Sequence, residues 1–397
     1  MIAPVMPNYN RTPLNFARGE GAWLVEADGR RFLDCAAGIA VTALGHSHPR
    51  LVAALKDQAD KLWHLSNLYT VPQQERLAQL LVDHSFADTV CFCNSGTEAG
   101  ELALKMARKY WDAQDAPERT TVITFEGSFH GRSMAMISAA GAEKLVNGFG
   151  PLLPGFVQLP FGDLEALRVA AAKPDVGAIM VEPIQGESGI HPLSDADLRA
   201  LRALCDEHGH LLILDEIQCG MGRTGRLFAH EWAGIQPDIM MIAKGIGGGY
   251  PLGAVLATEA AATPMGPGTH GSTYGGNPLG CAVGAEVVEI MTEAGFLDGV
   301  NRRAGHFRQA LEGLVAAHPD VFEKVRGAGL MLGLVCRAPN TDVIAAALAE
   351  QLLTVPAGDN VVRILPPLVI SEAEIDEAVT RLDRAAGAIE ATRSAAE

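Results

Sequence analysis

Two residues near the middle of the chain have the types and positions to do chemistry together. Asp215 ends the apolar run Leu211-Leu212-Ile213-Leu214, and Lys244 ends Ile239-Met240-Met241-Ile242-Ala243. A short apolar run that stops at turn residues reads as a strand buried on both faces of a parallel sheet. Ligand sites of open α/β sheets lie beyond the carboxyl ends of such strands, so this carboxylate and this amine would share one crevice. Gly245-Ile246-Gly247-Gly248-Gly249 follows Lys244 and leaves it uncrowded. A lysine at a strand end is ordinarily a solvated cation, but a buried, neutral amine can form a Schiff base with a carbonyl. Asp215 could keep a proton on a heteroaromatic nitrogen.

Three loops after other apolar runs could complete such a site. Asn94-Ser95-Gly96-Thr97-Glu98 stands between a strand and a helix. Glycine there permits close approach, and first-turn N–H groups attract an anion such as a phosphate; Ser95 or Thr97 could equally serve only as a helix cap. Gly127-Ser128-Phe129-His130-Gly131-Arg132 offers an aromatic face at Phe129 and a guanidinium fork for a carboxylate at Arg132. Glu182-Pro183-Ile184-Gln185-Gly186-Glu187 follows a third run. A Schiff-base lysine, an acid for a ring nitrogen and a phosphate cup are the groups that pyridoxal phosphate requires of a protein. The glycine run after Lys244 also competes as a dinucleotide loop. Pro251 and the apolar run beyond it promise no helix N-terminus for a pyrophosphate, and no acid stands about 20 residues on. A Walker A sequence is absent.

The elements that must position these groups follow from periodicity. Strands are expected at Val90–Cys93, Thr121–Phe125, Phe156–Leu159, Val176–Val181, Leu211–Leu214, Ile239–Ala243 and Leu252–Leu256, with helices at Thr97–Trp111, Asp163–Ala172 and Ser194–His208. Such alternation implies an α/β fold, a mostly parallel sheet with helices on its faces. Ahead of it, Ala22–Glu26 and Arg31–Asp34 flank Asp28-Gly29, a hairpin signal. Helices then begin near Pro49, running through Leu51, Leu55 and Leu62, and at Pro72. After Gly276 the rhythm changes to two long helices (about 278–293 and 299–318), a strand-like segment Val325–Cys336, a run at Val361–Leu365 and a helix capped by Ser371 and Glu374. The expected division is an N-terminal segment, 1–44, packing with the small domain; a large domain, 45–276; and a smaller α+β domain, 277–397.

With Lys and Arg at 31 against Asp and Glu at 47, the formal charge is 31 − 47 = −16, which disfavours nucleic acid and anionic membranes as partners. Seven scattered cysteines, an odd number, argue against a disulfide framework. Cys91 and Cys93 should face one side of a strand as small hydrophobes. His46-Ser47-His48 reads as a turn before Pro49 in preference to a metal pair, so no metal is expected. Met1–Pro7 lacks a basic n-region, and no apolar run approaches the roughly 20 residues of a membrane span, so the chain is expected in the cytosol.

Jointly, the motifs resemble the class III, fold-type I pyridoxal-phosphate aminotransferases. The matching text adds Gly38-Ile39-Ala40-Val41-Thr42-Ala43-Leu44-Gly45-His46, Asp215-Glu216-Ile217-Gln218-Cys219-Gly220-Met221-Gly222-Arg223-Thr224-Gly225, Gly271-Ser272-Thr273-Tyr274-Gly275-Gly276-Asn277-Pro278-Leu279 and Arg363-Ile364-Leu365-Pro366-Pro367-Leu368 to the loops above. It covers nearly the whole chain in the family's order.

The resemblance implies that pyridoxal 5′-phosphate is held covalently by Lys244, which also shuttles the proton. It makes Asp215 the pyridinium partner and Gln218 the partner of the ring hydroxyl. Ser95, Gly96 and Thr97 would hold the phosphate, Phe129 would stack on the ring, and Thr273 would reach the phosphate from the second subunit of a homodimer. Arg132 with Ser272 beside it would bind the carboxylate of N-acetylornithine. Arg363 would clamp the α-carboxylate of glutamate, and Glu187 would mask that arginine. The implied reaction moves the δ-amino group of N2-acetyl-L-ornithine to 2-oxoglutarate, as in arginine biosynthesis. Succinylornithine, succinyldiaminopimelate, ornithine and 4-aminobutyrate are alternative donors, and an aminomutase on the same fold is the alternative of a different class. Gly100, Ser188 and Tyr69 depart from residues common in the family, Asn, Gly and Phe respectively.

Overall fold

The computed structural model describes residue 2 and residues 4–394. Met1 and Ala3 of the opening segment, and 395–397 at the end of the C-terminal range, lie outside the described residues. The frame of the molecule is a seven-stranded sheet: β1 (Thr89–Cys93), β2 (Thr121–Phe125), β3 (Phe156–Leu159), β4 (Val176–Val181), β5 (Leu211–Asp215), β6 (Ile239–Ile242) and β7 (Gly253–Ala257). Their order across the sheet is β1-β7-β6-β5-β4-β2-β3. Neighbours pair parallel except around β7, which runs antiparallel to both β6 and β1. β7 turns back because only ten residues, 243–252, separate it from β6, and a parallel return needs a longer crossover.

The strands are continuous apolar runs because both faces are covered. Leu212 and Leu214 pack into one core with Ile179 and Val181, whereas Leu211 and Ile213 pack into another with Ala178 and Met180. Helix α1 (Gly96–Ala113) follows β1 and helix α2 (Asp195–His208) precedes β5. The start of α2 is fixed by a reciprocal cap between Ser194 and Asp197, and Gly209 stops it in the left-handed conformation, φ 69°.

Three antiparallel strands, Phe16–Glu20, Trp23–Glu26 and Arg31–Asp34, form a small N-terminal sheet. A strand from the far end of the sequence, Leu352–Leu353, adds to it parallel to Arg31–Asp34. The C-terminal part builds a four-stranded antiparallel sheet from Phe322–Ala328, Met331–Cys336, Val361–Ile364 and Val355–Ala357. Helices Pro278–Thr292, Phe296–Ala317, Asn340–Ala349 and Glu372–Ser394 accompany it, the last begun by Ser371 hydrogen-bonded to Glu374.

Arg223 joins the two parts. It is 2% exposed; its Nη1 donates to the carbonyls of Leu330 (3.2 Å) and Pro366 (2.5 Å), and its own carbonyl accepts from the Leu330 amide at 2.9 Å. No carboxylate faces it, and desolvation pulls its guanidinium down to about 9.

Several local expectations need correction. The segment expected as one strand over Val325–Cys336 is a hairpin, because Gly327 (φ 107°) and Gly329 (φ 56°) reverse the chain. The helix from Pro49 ends at Ala59, leaving Leu62 44% exposed. Cys91 is exposed while Cys93 is buried, since β1 is an edge of the sheet. His46 Nε2 pairs with Asp34 at 2.8 Å, fastening the turn before Pro49 to the N-terminal sheet. Among the described residues no group of three or more His, Cys, Asp or Glu is arranged to hold a metal ion, and no helix is long and apolar enough to cross a membrane.

Candidate active site

The carboxyl ends of β1, β2, β4, β5 and β6 converge on a cavity of about 340 Å³, within the range usual for small-molecule sites. Lys244, Asp215, Ser95, Gly96, Thr97, Phe129 and Gln218 all line it, together with His130, Glu182, Val41 and the turn Gly249–Leu252. Lys244 leaves the end of β6 in the left-handed conformation, φ 49°. For a residue with a Cβ that costs about 1–2 kcal/mol, a strain tolerated where function needs it. Desolvation holds the Lys244 amine below its ordinary 10.5, opposed by the charges of Glu187, Asp215 and Glu182. Burial thus works against the charged form of this amine.

Asp215 is 3% exposed. Its Oδ2 lies 2.7 Å from His130 Nδ1, and its Oδ1 accepts from the Ile217 amide at 3.1 Å. Burial works against charge on His130, but the hydrogen bond and charge of Asp215 prevail and hold the imidazole above its ordinary value. The carboxylate is thus fixed in direction by the ring and the amide.

At the other end of the cavity, α1 presents its N-terminus. Ser95 Oγ accepts from the Glu98 amide at 3.3 Å, so the residue caps the helix and lines the cavity at once. Thr97 Oγ1 accepts from the Arg132 amide at 3.1 Å, joining the two loops. Small residues make that closeness possible. A Cβ on Gly131 (φ 138°) would fall 2.3 Å from Thr97 Oγ1, and one on Gly96 would fall 2.7 Å from Ile217.

Arg363, on the strand Val361–Ile364, is 2% exposed and faces Glu187 in a two-toothed ion pair: Nη1 to Oε1 at 2.5 Å and Nη2 to Oε2 at 3.2 Å. Nη1 also reaches Gln218 Oε1 at 3.3 Å and Nη2 the Pro356 carbonyl at 3.0 Å. Burial alone would raise the Glu187 carboxyl, but the Arg363 charge and hydrogen bonds outweigh it and hold it below the ordinary range. This pair joins the cavity through Gln218.

Arg132 is exposed, its guanidinium carbon 5.5 Å from the centre of the Phe129 ring. Ser272 touches the site only through Asn94, whose Nδ2 lies 3.4 Å from its Oγ. Thr273 is exposed and does not line the cavity of its own chain. His130 and Glu182 were quoted in the sequence motifs without a role. Their signal was position: one sits beside the aromatic of a loop, the other directly follows the wholly apolar Val176–Val181.

The donor set fits pyridoxal phosphate. A buried amine of lowered basicity, a carboxylate aimed by a buried histidine, an aromatic face and a helix N-terminus surround one cavity, and among the described residues His130 Nε2 is buried with no partner of its own. Fold and site together define a fold-type I, pyridoxal-phosphate-dependent transaminase. The chain belongs to the class-III aminotransferases, the family model matching residues 5–386. It is 65% identical to the acetylornithine aminotransferase of Rhodobacter capsulatus, over 98% of this chain and 99% of that one. It is 57% identical to the acetylornithine aminotransferase of Mesorhizobium japonicum, over 94% of each. Among solved structures it resembles the N-acetylornithine aminotransferase of Stenotrophomonas maltophilia (TM-score 0.85, 40% identity, 97% and 98% covered). It also resembles the ornithine aminotransferase of Toxoplasma gondii (TM-score 0.94, 33% identity, 98% and 94% covered).

Proposed function

We propose that this enzyme transfers the δ-amino group of N2-acetyl-L-ornithine to 2-oxoglutarate, giving N-acetyl-L-glutamate 5-semialdehyde and L-glutamate in arginine biosynthesis. The observation that carries a two-substrate reading is the Arg363–Glu187 pair beside the cavity. An arginine that a nearby carboxylate can cover suits a site that must accept a dicarboxylate in one half-reaction and an ω-amine in the other. It argues against an aminomutase, which needs no second dicarboxylate. High sequence identity over nearly the full length of chains named acetylornithine aminotransferase supports the donor.

Pyridoxal phosphate supplies, when bound, a carbonyl that exchanges amines and a ring that accepts the charge of a deprotonated carbon. Lys244 Nζ would hold the cofactor and, when free, would take the proton from the substrate carbon bearing the nitrogen. Burial, by lowering its basicity, raises the share of the amine able to accept a proton. Asp215, aimed by His130, would keep a proton on the ring nitrogen, and Gln218 would face the ring hydroxyl. The Gly96 and Thr97 amides with the Ser95 and Thr97 hydroxyls would bind the phosphate, and Phe129 would cover the ring. With glutamate, Arg363 leaves Glu187 and takes the α-carboxylate. With N-acetylornithine, Glu187 keeps Arg363 covered, while Arg132 and Ser272 receive the substrate's own carboxylate.

Thr273 serves the phosphate of a second copy in a homodimer. An exposed apolar patch supports this: Trp63 (66% exposed), Leu68 (86%), Tyr69 (66%) and Tyr274 (61%). Asn67 Nδ2, donating to the carbonyls of Ser272 (3.2 Å) and Gly275 (2.9 Å), ties the two loops that bear the patch. The division 1–44, 45–276 and 277–397 belongs to the same reading, supported by the pairing of Leu33 with Leu352. A cytosolic setting suits seven cysteines that are all free.

Single-turnover spectroscopy of the pyridoxal form against N-acetylornithine, succinylornithine, succinyldiaminopimelate, ornithine and 4-aminobutyrate tests the donor. A faster reaction with any other amine than with N-acetylornithine defeats the assignment. Mixing inactive Lys244→Ala chains with impaired Thr273→Ala chains tests the shared site. A mixed dimer would hold one intact site and regain activity; no recovery would exclude sharing.

A further inference from the structure

The strand β4 is followed directly by Glu182, a carboxylate 5% exposed whose oxygens are both taken by backbone amides of different loops. Oε1 accepts from Phe129 N–H at 2.8 Å, and Oε2 accepts from Gly186 N–H at 3.3 Å. Phe129 is the aromatic wall of the cavity, and Gly186 immediately precedes Glu187. The Gly186 position has no slack: a Cβ there would fall 2.2 Å from Gln218 Oε1, the atom that also faces Arg363. We propose that Glu182 is a positioning residue that locks the Phe129 loop to the Glu187 gate, and so sets how firmly Glu187 covers Arg363. The inference deepens the two-substrate reading above and rests on it for its kinetic consequence, though not for its structural one.

The lock works because an ionised carboxylate offers two strong acceptor oxygens, one for each amide, whereas a protonated one keeps a strong acceptor at its carbonyl oxygen only. The groups facing Glu182 are Asp215 from β5, His130 from the Phe129 loop, Cys219 beyond β5 and Lys244 beyond β6. Burial and the Asp215 charge push its carboxyl up to about 7, against the pull of His130 and of the two amides. The lock is therefore made above neutral pH and slackens below it. A slack lock uncovers Arg363, which harms the half-reaction that needs the arginine covered and spares the one that needs it free.

Glu182→Gln removes the charge at nearly constant shape and leaves one amide facing a donor. In the holoenzyme, hydrogen–deuterium exchange should rise in the loop segments 127–132 and 183–188 and stay unchanged in β4 and β5. In half-reaction kinetics the variant should lose about tenfold in kcat/KM with N-acetylornithine, the scale of one charge-assisted hydrogen bond, and much less with glutamate. The acid limb near pH 7 should disappear from the donor half-reaction alone. Should the variant fold poorly, lowering the pH of the unmodified holoenzyme from 8.5 to 6 should raise exchange in the same two segments beyond the change in intrinsic rate. Unchanged exchange, or equal losses in both half-reactions with the acid limb retained, would overturn the lock. Failure of N-acetylornithine to react with the unmodified enzyme would instead refute the assigned substrate, and exchange would still decide the lock.

Discussion

Replacing Glu187 with glutamine tests the gate directly. The carboxylate makes two hydrogen bonds to a guanidinium that is 2% exposed; glutamine keeps one neutral acceptor oxygen, beside Gln218 Oε1 at 3.3 Å and the Pro356 carbonyl at 3.0 Å, but no charge. Two unit charges about 4 Å apart attract by about 4 kcal/mol at an effective dielectric near 20. The Glu187 side chain is 29% exposed, so solvent screening reduces this, leaving about 2 kcal/mol of differential coverage. That corresponds to about 30-fold in a ratio of rates. The donor half-reaction should fall by this factor in kcat/KM, because an uncovered Arg363 attracts the substrate carboxylate and seats the amine backwards. The glutamate half-reaction should hold or improve, its KM falling as a competitor for Arg363 is lost. Stopped-flow spectroscopy reads the two half-reactions separately. Equal losses in both would refute the reasoning, since they would make Glu187 a structural support.

Other outcomes follow from the same geometry. Lys244→Ala should abolish turnover and the visible absorbance of lysine-bound cofactor, and an active variant would remove Lys244 from the chemistry. In the cofactor-free enzyme, Lys244→Met should raise thermal stability at pH 7. A lysine held below 10.5 binds more protons unfolded than folded, so its penalty is present below that pH and vanishes above it; the melting-point advantage should shrink as the pH passes 10.5. Gly100→Asn should destabilise by about 1–3 kcal/mol in urea melts, because a Cβ there would fall 2.2 Å from Met136 Sδ. Combined with Met136→Ala, its cost should be smaller than the sum of the two single changes.

At Gly100 the space a side chain would need is filled by Met136, which is fully buried. Ser188 donates its hydroxyl to Gln185 Oε1 at 2.9 Å and so braces the gate loop. The central sheet was legible because strands covered on both faces are written as unbroken apolar runs; Thr121–Phe125, Phe156–Leu159 and Val176–Val181 appear with the bounds expected. The edge strand Phe16–Glu20 was not, since Phe-Ala-Arg-Gly-Glu is half solvated and shows no alternation. Helix Asn340–Ala349 and the short strands after it were missed for a similar reason: Asn340 begins a helix mostly of small residues with a weak apolar face. At the site, the motifs located groups that line one cavity, but not the contacts among them. That Asp215 leans on His130, or that Glu182 spans two loops, depends on strand order across β2, β4 and β5, which no local spacing encodes.

Arg223 has a mechanical meaning. A guanidinium shut away from water and gripped by carbonyls of the C-terminal part is a poor place for one body to slide over another, because any translation would strand a cation. The contact therefore resists shear between the loop after β5 and the segments around Leu330 and Pro366. Pro366 stands three residues beyond Arg363, so the same side chain that is shut away from water also steadies the strand end that presents the carboxylate clamp to the crevice of Lys244.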